Sequence, residues 1–251
     1  MIIDKDKRFM FIHNPRTSGT SIRRALASEI EQEQDKIELV KLLYRDAVKA
    51  QKPTGTGSEI DWKHASLDIL PDSFADGYSY VFVTVRNPYI RLLSYYLRFH
   101  QDVESNIYNG FKKYIDNTYS RHKEGDIQLL PRLKQAHWYN HPSIDEVVKC
   151  EDIDLDKWKL ILQKCSLDPN IERKKGVCQS LYWKRPDARA TFPLPSHLSF
   201  RTPSPIFPAI GYPIKSDDYM RVYDDQMREK VYEMCQEDME RFNYQFEEKW
   251  K

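Results

Sequence analysis

The stretch YSYVFVTV, residues 78–85, constrains the fold more than any other part of the chain. β-Branched and aromatic residues fill it and polar side chains are almost absent, which suits a central strand of a parallel sheet covered on both faces. Arg-Asn-Pro ends the strand, and YIRLLSYYLRFH then carries Ile90, Leu93 and Leu97 at helical spacing. The same order occurs near the N-terminus. Residues 8–13 read as a short buried strand, NPRTSGTS as a polar loop, and residues 21–30 as a helix with Ile22, Leu26 and Ile30 on one face. Two strand-loop-helix units imply an α/β sheet.

The rest of the chain fits that frame. Residues 36–50 stack Leu39, Leu43 and Ala47 in a second helix, which QKPTGTGSE breaks with Pro53, Gly55 and Gly57; a mobile loop is expected there. IDEVVKC reads as a further strand, and DLDKWKLILQKC as a helix with Asp154 at its N-cap. Eight of the 14 prolines fall between Pro169 and Ser216, where no period survives, so that segment is expected to be irregular. From Asp217 the chain returns to helix, with Val222, Met227, Val231, Met234 and Met239 as its apolar contacts. Neither an internal repeat nor a linker is evident, so residues 1–251 are read as one domain.

A loop that leaves a buried strand and enters a helix presents backbone N–H groups without intrahelical partners at the positive end of the helix dipole. It is a natural anion cradle. In NPRTSGTS, Gly19 allows close approach, Arg16 adds a permanent forked charge, and Thr17, Ser18, Thr20 and Ser21 add hydroxyls. A plain strand-to-helix turn with a hydroxyl cap is the competing reading of this stretch alone. An ATP-binding P-loop needs G-x-x-x-x-G-K-[ST], and this loop has one glycine and no such lysine. In RNPYIRLLSYY, Arg86 stands at a strand end and Ser94 lies two turns up the next helix, so the two can grip one phosphate. Taken singly, Arg91 also reads as a solvated helix arginine and Ser94 as a small packing residue.

At this point the chain resembles a known family. NPRTSGTSI is similar to the 5′-phosphosulfate loop of the sulfotransferases, P-K-T-G-G-T-S, and VRNPYIRLLSYY to their 3′-phosphate motif, R-N-P-x-x-R-x-x-S. The carbohydrate-type branch, sulfotransferase family 2-like, is the nearest, with WKHASLDIL, VVKCEDI and VYEMCQEDMERFNYQF as further matches. The resemblance implies a P-loop-like three-layer α/β domain, a central parallel sheet flanked by helices. It also implies 3′-phosphoadenosine 5′-phosphosulfate (PAPS) as sulfuryl donor, 3′-phosphoadenosine 5′-phosphate (PAP) as product, and no metal. Pro15, Arg16, Thr17, Ser18, Gly19, Thr20 and Ser21 would hold the 5′-phosphosulfate, and Arg86 with Ser94 the 3′-phosphate. Arg16 replaces the family's usual lysine and Ser18 the first of its two glycines, which changes a point donor into a planar fork.

Sulfuryl transfer asks for alignment, charge stabilisation at the leaving oxygen, and a base for the acceptor hydroxyl. His64 is the candidate base, expected to be held neutral by the dipole of a helical run in ASLDILPDSF, and Arg16 is the second candidate catalytic residue. Glu59 and Asp61 are fallback bases. His137 and His141 in HWYNH have the i,i+4 spacing of a zinc pair but lack the glutamate of H-E-x-x-H, so a structural or acceptor-facing place is expected instead. ERKKGV, with Arg173, Lys174, Lys175 and Gly176, resembles a 3′-phosphate element of cytosolic sulfotransferases; a basic loop is more often solvated.

Composition narrows the partners. The 39 Lys+Arg nearly cancel the 38 Asp+Glu, so a formal charge of +1 gives no global attraction to nucleic acid or an anionic membrane. No run approaches the roughly 18 apolar residues of a membrane span, and MIIDKDKRFMF lacks a signal-peptide pattern, so a cytoplasmic protein is expected. Cys150, Cys165, Cys178 and Cys235 lack zinc-ligand or C-x-x-C spacing and read as reduced thiols. A carbohydrate acceptor is expected, since some of the 16 Tyr and 5 Trp can stack on sugar rings. A small-molecule natural product is the alternative acceptor. A P-loop-type kinase and a catalytically inactive nucleotide-binding module are the rivals from other classes. QKPTGTGSE and the proline-rich segment are expected to line the acceptor entrance.

Overall fold

The structure is a computed structural model that describes residues 1–52, 54, 62–99, 107–172 and 222–246. Glu59, Asp61, Arg173, Lys174, Lys175, Gly176 and most of both expected entrance segments lie outside the described residues. The chain is mixed α/β, with a four-strand, mostly parallel sheet and nine α-helices among the described residues. Its residues fall into two compact units, Met1–Arg86 with Asp126–Gly176, and Asn87–Gly125 with Val177–Lys251.

The first unit holds the sheet. Its strands β1 (Ile2–Ile3), β2 (Met10–Ile12), β3 (Val81–Val85) and β4 (Glu146–Lys149) lie side by side in chain order. β2, β3 and β4 are parallel, with Phe11 opposite Phe82 and Val83 opposite Val147. β1 runs antiparallel to β2 and forms the edge, so the sheet is not wholly parallel as expected from the sequence. A tight hairpin explains the reversal. Buried Asp4 accepts hydrogen bonds from the backbone N–H and guanidinium of Arg8, which closes the turn between β1 and β2.

Every side chain of β2 and β3 is buried, as the apolar run at 78–85 requires. On one face Phe11, Phe82 and Val148 pack with Ile22, Ala25 and Leu26 of α1 (Gly19–Ala27) and Trp158, Ile161 and Leu162 of α7 (Leu155–Lys164). Burying each large side chain contributes about 1.5–3 kcal/mol, which is what fixes these helices on the sheet. Asp154 caps α7 as its sequence position indicates, accepting from the Lys157 N–H at 2.8 Å. At the start of β4, Glu146 meets Lys157, Lys164 and the Tyr80 hydroxyl. Burial alone would raise its pKa, but these partners overcome it and hold the carboxyl at about 2.

Helix α2 (Gln34–Lys49) buries Ile37, Val40, Tyr44 and Ala47, whereas Leu39 is exposed, so the apolar face is rotated from the Leu39–Leu43 line read in the sequence. Two one-turn helices, α5 (Leu130–Leu133) and α6 (Ala136–Tyr139), complete this unit.

The second unit is helical, with α3 (Pro88–Phe99), α4 (Ile107–Lys123), α8 (Asp225–Met234) and α9 (Gln236–Arg241). Pro88 opens α3 and the Asn87 carboxamide oxygen accepts from the Tyr89 N–H, a capped start. α4 was not legible as a helix above; Phe111, Ile115 and Thr118 form its buried line. Asp224 caps α8 through the Met227 N–H and also accepts from Tyr108 and Lys112 of α4. Of the helix expected from Asp217, residues 217–221 lie outside the described residues; α8 begins at Asp225, with Val222 and Tyr223 buried ahead of it.

Candidate anion-binding site

The site is built at the carboxyl ends of β2, β3 and β4, where parallel strands leave backbone groups exposed to a ligand. Three segments meet there on Thr17. Its hydroxyl donates to the Asn14 carbonyl at 2.7 Å, and the Thr84 hydroxyl of β3 donates to the Thr17 carbonyl at 3.0 Å. The thiol of Cys150, just past β4, donates to the same carbonyl. Thr17 and Thr84 are both fully buried, and their hydroxyl oxygens lie 2.8 Å apart. The Thr17 hydroxyl thus braces the loop from within, and an anion would meet its backbone N–H instead.

Between that anchor and α1 the backbone is contorted. Arg16 (φ 67°) and Ser18 (φ 60°) both hold left-handed conformations, which cost non-glycine residues about 1–3 kcal/mol each. Turns of this kind line up successive N–H groups into an anion-binding concavity. The first turn of α1 contains no acidic residue, and the Ser18 side chain does not cap it. Ser18 and Thr20 are exposed, Arg16 and Ser21 half-buried, and Pro15 and Gly19 buried. These properties fit a phosphate or sulfate group: donors and positive potential outside, a rigid anchor beneath.

Gly19 has its own reason to be glycine. A Cβ there would overlap the imidazole of His13, a residue the sequence reading passed over. Gly19→Ala is expected to cost about 1–3 kcal/mol of stability by overpacking this contact. Denaturant unfolding measures it, and an unchanged midpoint would show that the ring moves aside freely.

His13 is 2% exposed, and no hydrogen-bond partner reaches its Nδ1. Its ring lies 4.2 Å, centroid to centroid, from that of His64. Burial, then the neighbouring His64, with the terminal amine, Arg23 and Lys63 adding, holds its pKa well below 6.5. The unfolded chain therefore takes up this proton first as pH falls, so stability is lost below about pH 6.5, by about 1.4 kcal/mol per pH unit while His13 alone titrates. His13→Gln should remove one proton from that slope in urea unfolding at successive pH values; an identical slope in the variant would contradict the assignment.

His64 ends a 3-10 turn, Trp62–His64. Its Nδ1 lies 3.1 Å from the His13 carbonyl oxygen, which can only accept, so Nδ1 carries a proton and in the neutral ring the basic lone pair falls on Nε2. The helix whose dipole was expected to hold it neutral does not form. ASLDILPDSF forms two short 3-10 turns, Leu67–Ile69 and Asp72–Ala75, too short to sum an appreciable dipole. The His64 carbonyl accepts from the Trp138 indole N–H at 3.1 Å, a second restraint on the segment.

Arg86 closes the first unit at the end of β3. Its guanidinium donates to the Arg16 carbonyl at 3.4 Å, so the two arginines singled out in the sequence meet on one loop. Its backbone is held by Gln135, also passed over in the sequence, whose carboxamide accepts from the Arg86 N–H and donates to the Arg86 carbonyl, both at 2.8 Å. Ser94 and Arg91 belong to the second unit, on α3, and both are 1% exposed, which removes the reading of Arg91 as a solvated arginine. Its guanidinium stacks over the Tyr95 ring at 5.3 Å.

The zinc spacing of His137 and His141 dissolves, because α6 stops at Tyr139 before His141. His137 instead meets Ser66 at 3.2 Å and Asp68 at 3.5 Å. No cluster of three or more His, Cys, Asp or Glu suited to a metal occurs among the described residues, and none of the described helices is long and apolar enough to cross a membrane. A shallow depression lined by Val48, Gln51, Lys52, Thr54 and Gln128 shares no residue with the loop. No protein-family model matches the chain, nor does any curated protein or solved structure.

Proposed function

We propose that this chain is a PAPS-dependent sulfotransferase with a P-loop-like three-layer architecture, acting on a hydroxyl, most naturally that of a carbohydrate. One observation carries the reading. Arg86, at the carboxyl end of the central strand, reaches the carbonyl of Arg16 in a loop whose left-handed residues lead directly into an uncapped helix. A turn suited to an anion and a strand-end arginine thus lie side by side, which supports a donor with phosphates at both 5′ and 3′ positions.

The donor supplies an activated sulfuryl group. Pro15, Arg16, Thr17, Ser18, Gly19, Thr20 and Ser21 bind its 5′ end, chiefly through backbone N–H groups and the Arg16 guanidinium. Arg86 binds the 3′-phosphate; the share of Ser94 rests on its place in the RNPYIRLLS motif. The acceptor oxygen forms its bond to sulfur as the sulfur–oxygen bond to the 5′-phosphate breaks, releasing PAP. His64 Nε2 takes the acceptor proton, and Arg16 with the loop N–H groups stabilises charge on the departing oxygen. Incubation of the chain with PAPS and a panel of hydroxylated sugars and small phenols tests this. PAP release that depends on one acceptor class supports the reading, and none with any acceptor opposes it.

A further inference from the structure

Gln135 is fully buried, sits immediately before α6, and spends its carboxamide on two other segments. Its Oε1 accepts from the Arg86 N–H at 2.8 Å and from the Asn14 side-chain amide at 3.2 Å, while its Nε2 donates to the Arg86 carbonyl at 2.8 Å. Asn14 in turn donates to the Thr84 carbonyl at 3.0 Å. One side chain therefore pairs with both backbone groups of the residue just past β3 and with Asn14 in the loop after β2. In a strand, a neighbouring strand would make these bonds; here the sheet has ended and Gln135 substitutes for it. A three-residue step along the same turn, the Trp138 indole holds the His64 carbonyl. The turn at 135–138 thus touches the arginine and the histidine through separate side chains.

We propose that Gln135 is a positioning residue for the donor site, setting Arg86 against the loop so that its guanidinium selects a 3′-phosphate. This rests on the sulfotransferase reading and deepens it. A hydrophobic side chain at 135 leaves the Arg86 N–H and carbonyl and the Asn14 amide without that partner, and a small displacement of the Arg86 backbone carries its guanidinium away from the bound group. Trp138 holds the His64 carbonyl instead and does not enter nucleotide selection.

The test is calorimetric titration of the full chain with PAP and with ADP, for the parent, Gln135→Leu, Gln135→Glu and Trp138→Phe. Gln135→Leu should lose about tenfold of the PAP-over-ADP preference, roughly the loss of one to two hydrogen bonds. Gln135→Glu keeps the acceptor contacts and loses the donor to Arg86, so it should fall between; Trp138→Phe should keep the parent preference. A merely structural role would weaken PAP and ADP in parallel, and that result overturns the proposal. If Gln135→Leu does not fold, an unreduced preference in Gln135→Glu overturns it instead. A parent without any preference for PAP defeats the sulfotransferase reading and this assignment together, whereas a preference kept by both Gln135 variants defeats this assignment alone.

Discussion

The Arg86→Ala variant is expected to bind PAP about 10- to 100-fold more weakly than the parent while its affinity for ADP changes little. The magnitude follows from charge-assisted hydrogen bonds to a phosphate, which a forked guanidinium makes two at a time. Arg86 reaches the loop through the Arg16 carbonyl, and its backbone is held by Gln135, so the side chain can be removed without disturbing the strand end. Arg86→Lys should fall between, because it keeps the charge but loses the fork. Paired calorimetric titrations read both nucleotides; equal losses for PAP and ADP would mean that Arg86 supports the loop as a whole and reads no 3′ group.

The second large effect is on turnover. His64→Ala should lower the rate of sulfuryl transfer about 10²- to 10⁴-fold, the usual contribution of a positioned general base, while leaving PAP affinity near that of the parent. The basis is the tautomer: with Nδ1–H donated to the His13 carbonyl, Nε2 is the nitrogen able to accept a proton. The rate in the parent should fall on the acid side, where His64 is protonated, and the residual rate of the variant should lose that dependence. Unchanged turnover in His64→Ala would remove it as the base.

Much of the frame was legible because the sheet is the least ambiguous feature such a chain can encode. Residues 80–85 are apolar but for Tyr80 and Thr84, and β3 lies within them with every side chain buried. Asp154 was readable as a cap because its hydrogen bond is local, three residues away. β1 was not, since two residues carry no periodicity and the strand depends on the Asp4–Arg8 hairpin and on backbone bonds to Glu31 and Glu33. α4 contains Gly110, Asn109 and Asn117, which weaken its intrinsic signal, although the line of Phe111, Ile115 and Thr118 was there to be read.

The site divides in the same way. Arg16, Gly19, Arg86 and His64 could be singled out as candidates because residue type and local position suggest a chemistry. Gln135 and His13 were not, because their roles depend on contacts across the fold: Gln135 meets Asn14 121 positions away, and His13 matters through its ring beneath Gly19 and beside His64. Thr17 went the other way, its hydroxyl turned inward to Asn14 and Thr84.

The most direct test of the central claim is calorimetric titration of the unmodified chain with PAP against ADP. Tight, stoichiometric binding of PAP with a clear preference over ADP is the expected result, since the proposed function assigns the 5′-phosphate to the loop and the 3′-phosphate to Arg86. Equal affinity for the two, or binding of neither, would contradict a PAPS site and return NPRTSGTS to an ordinary turn between a strand and a helix.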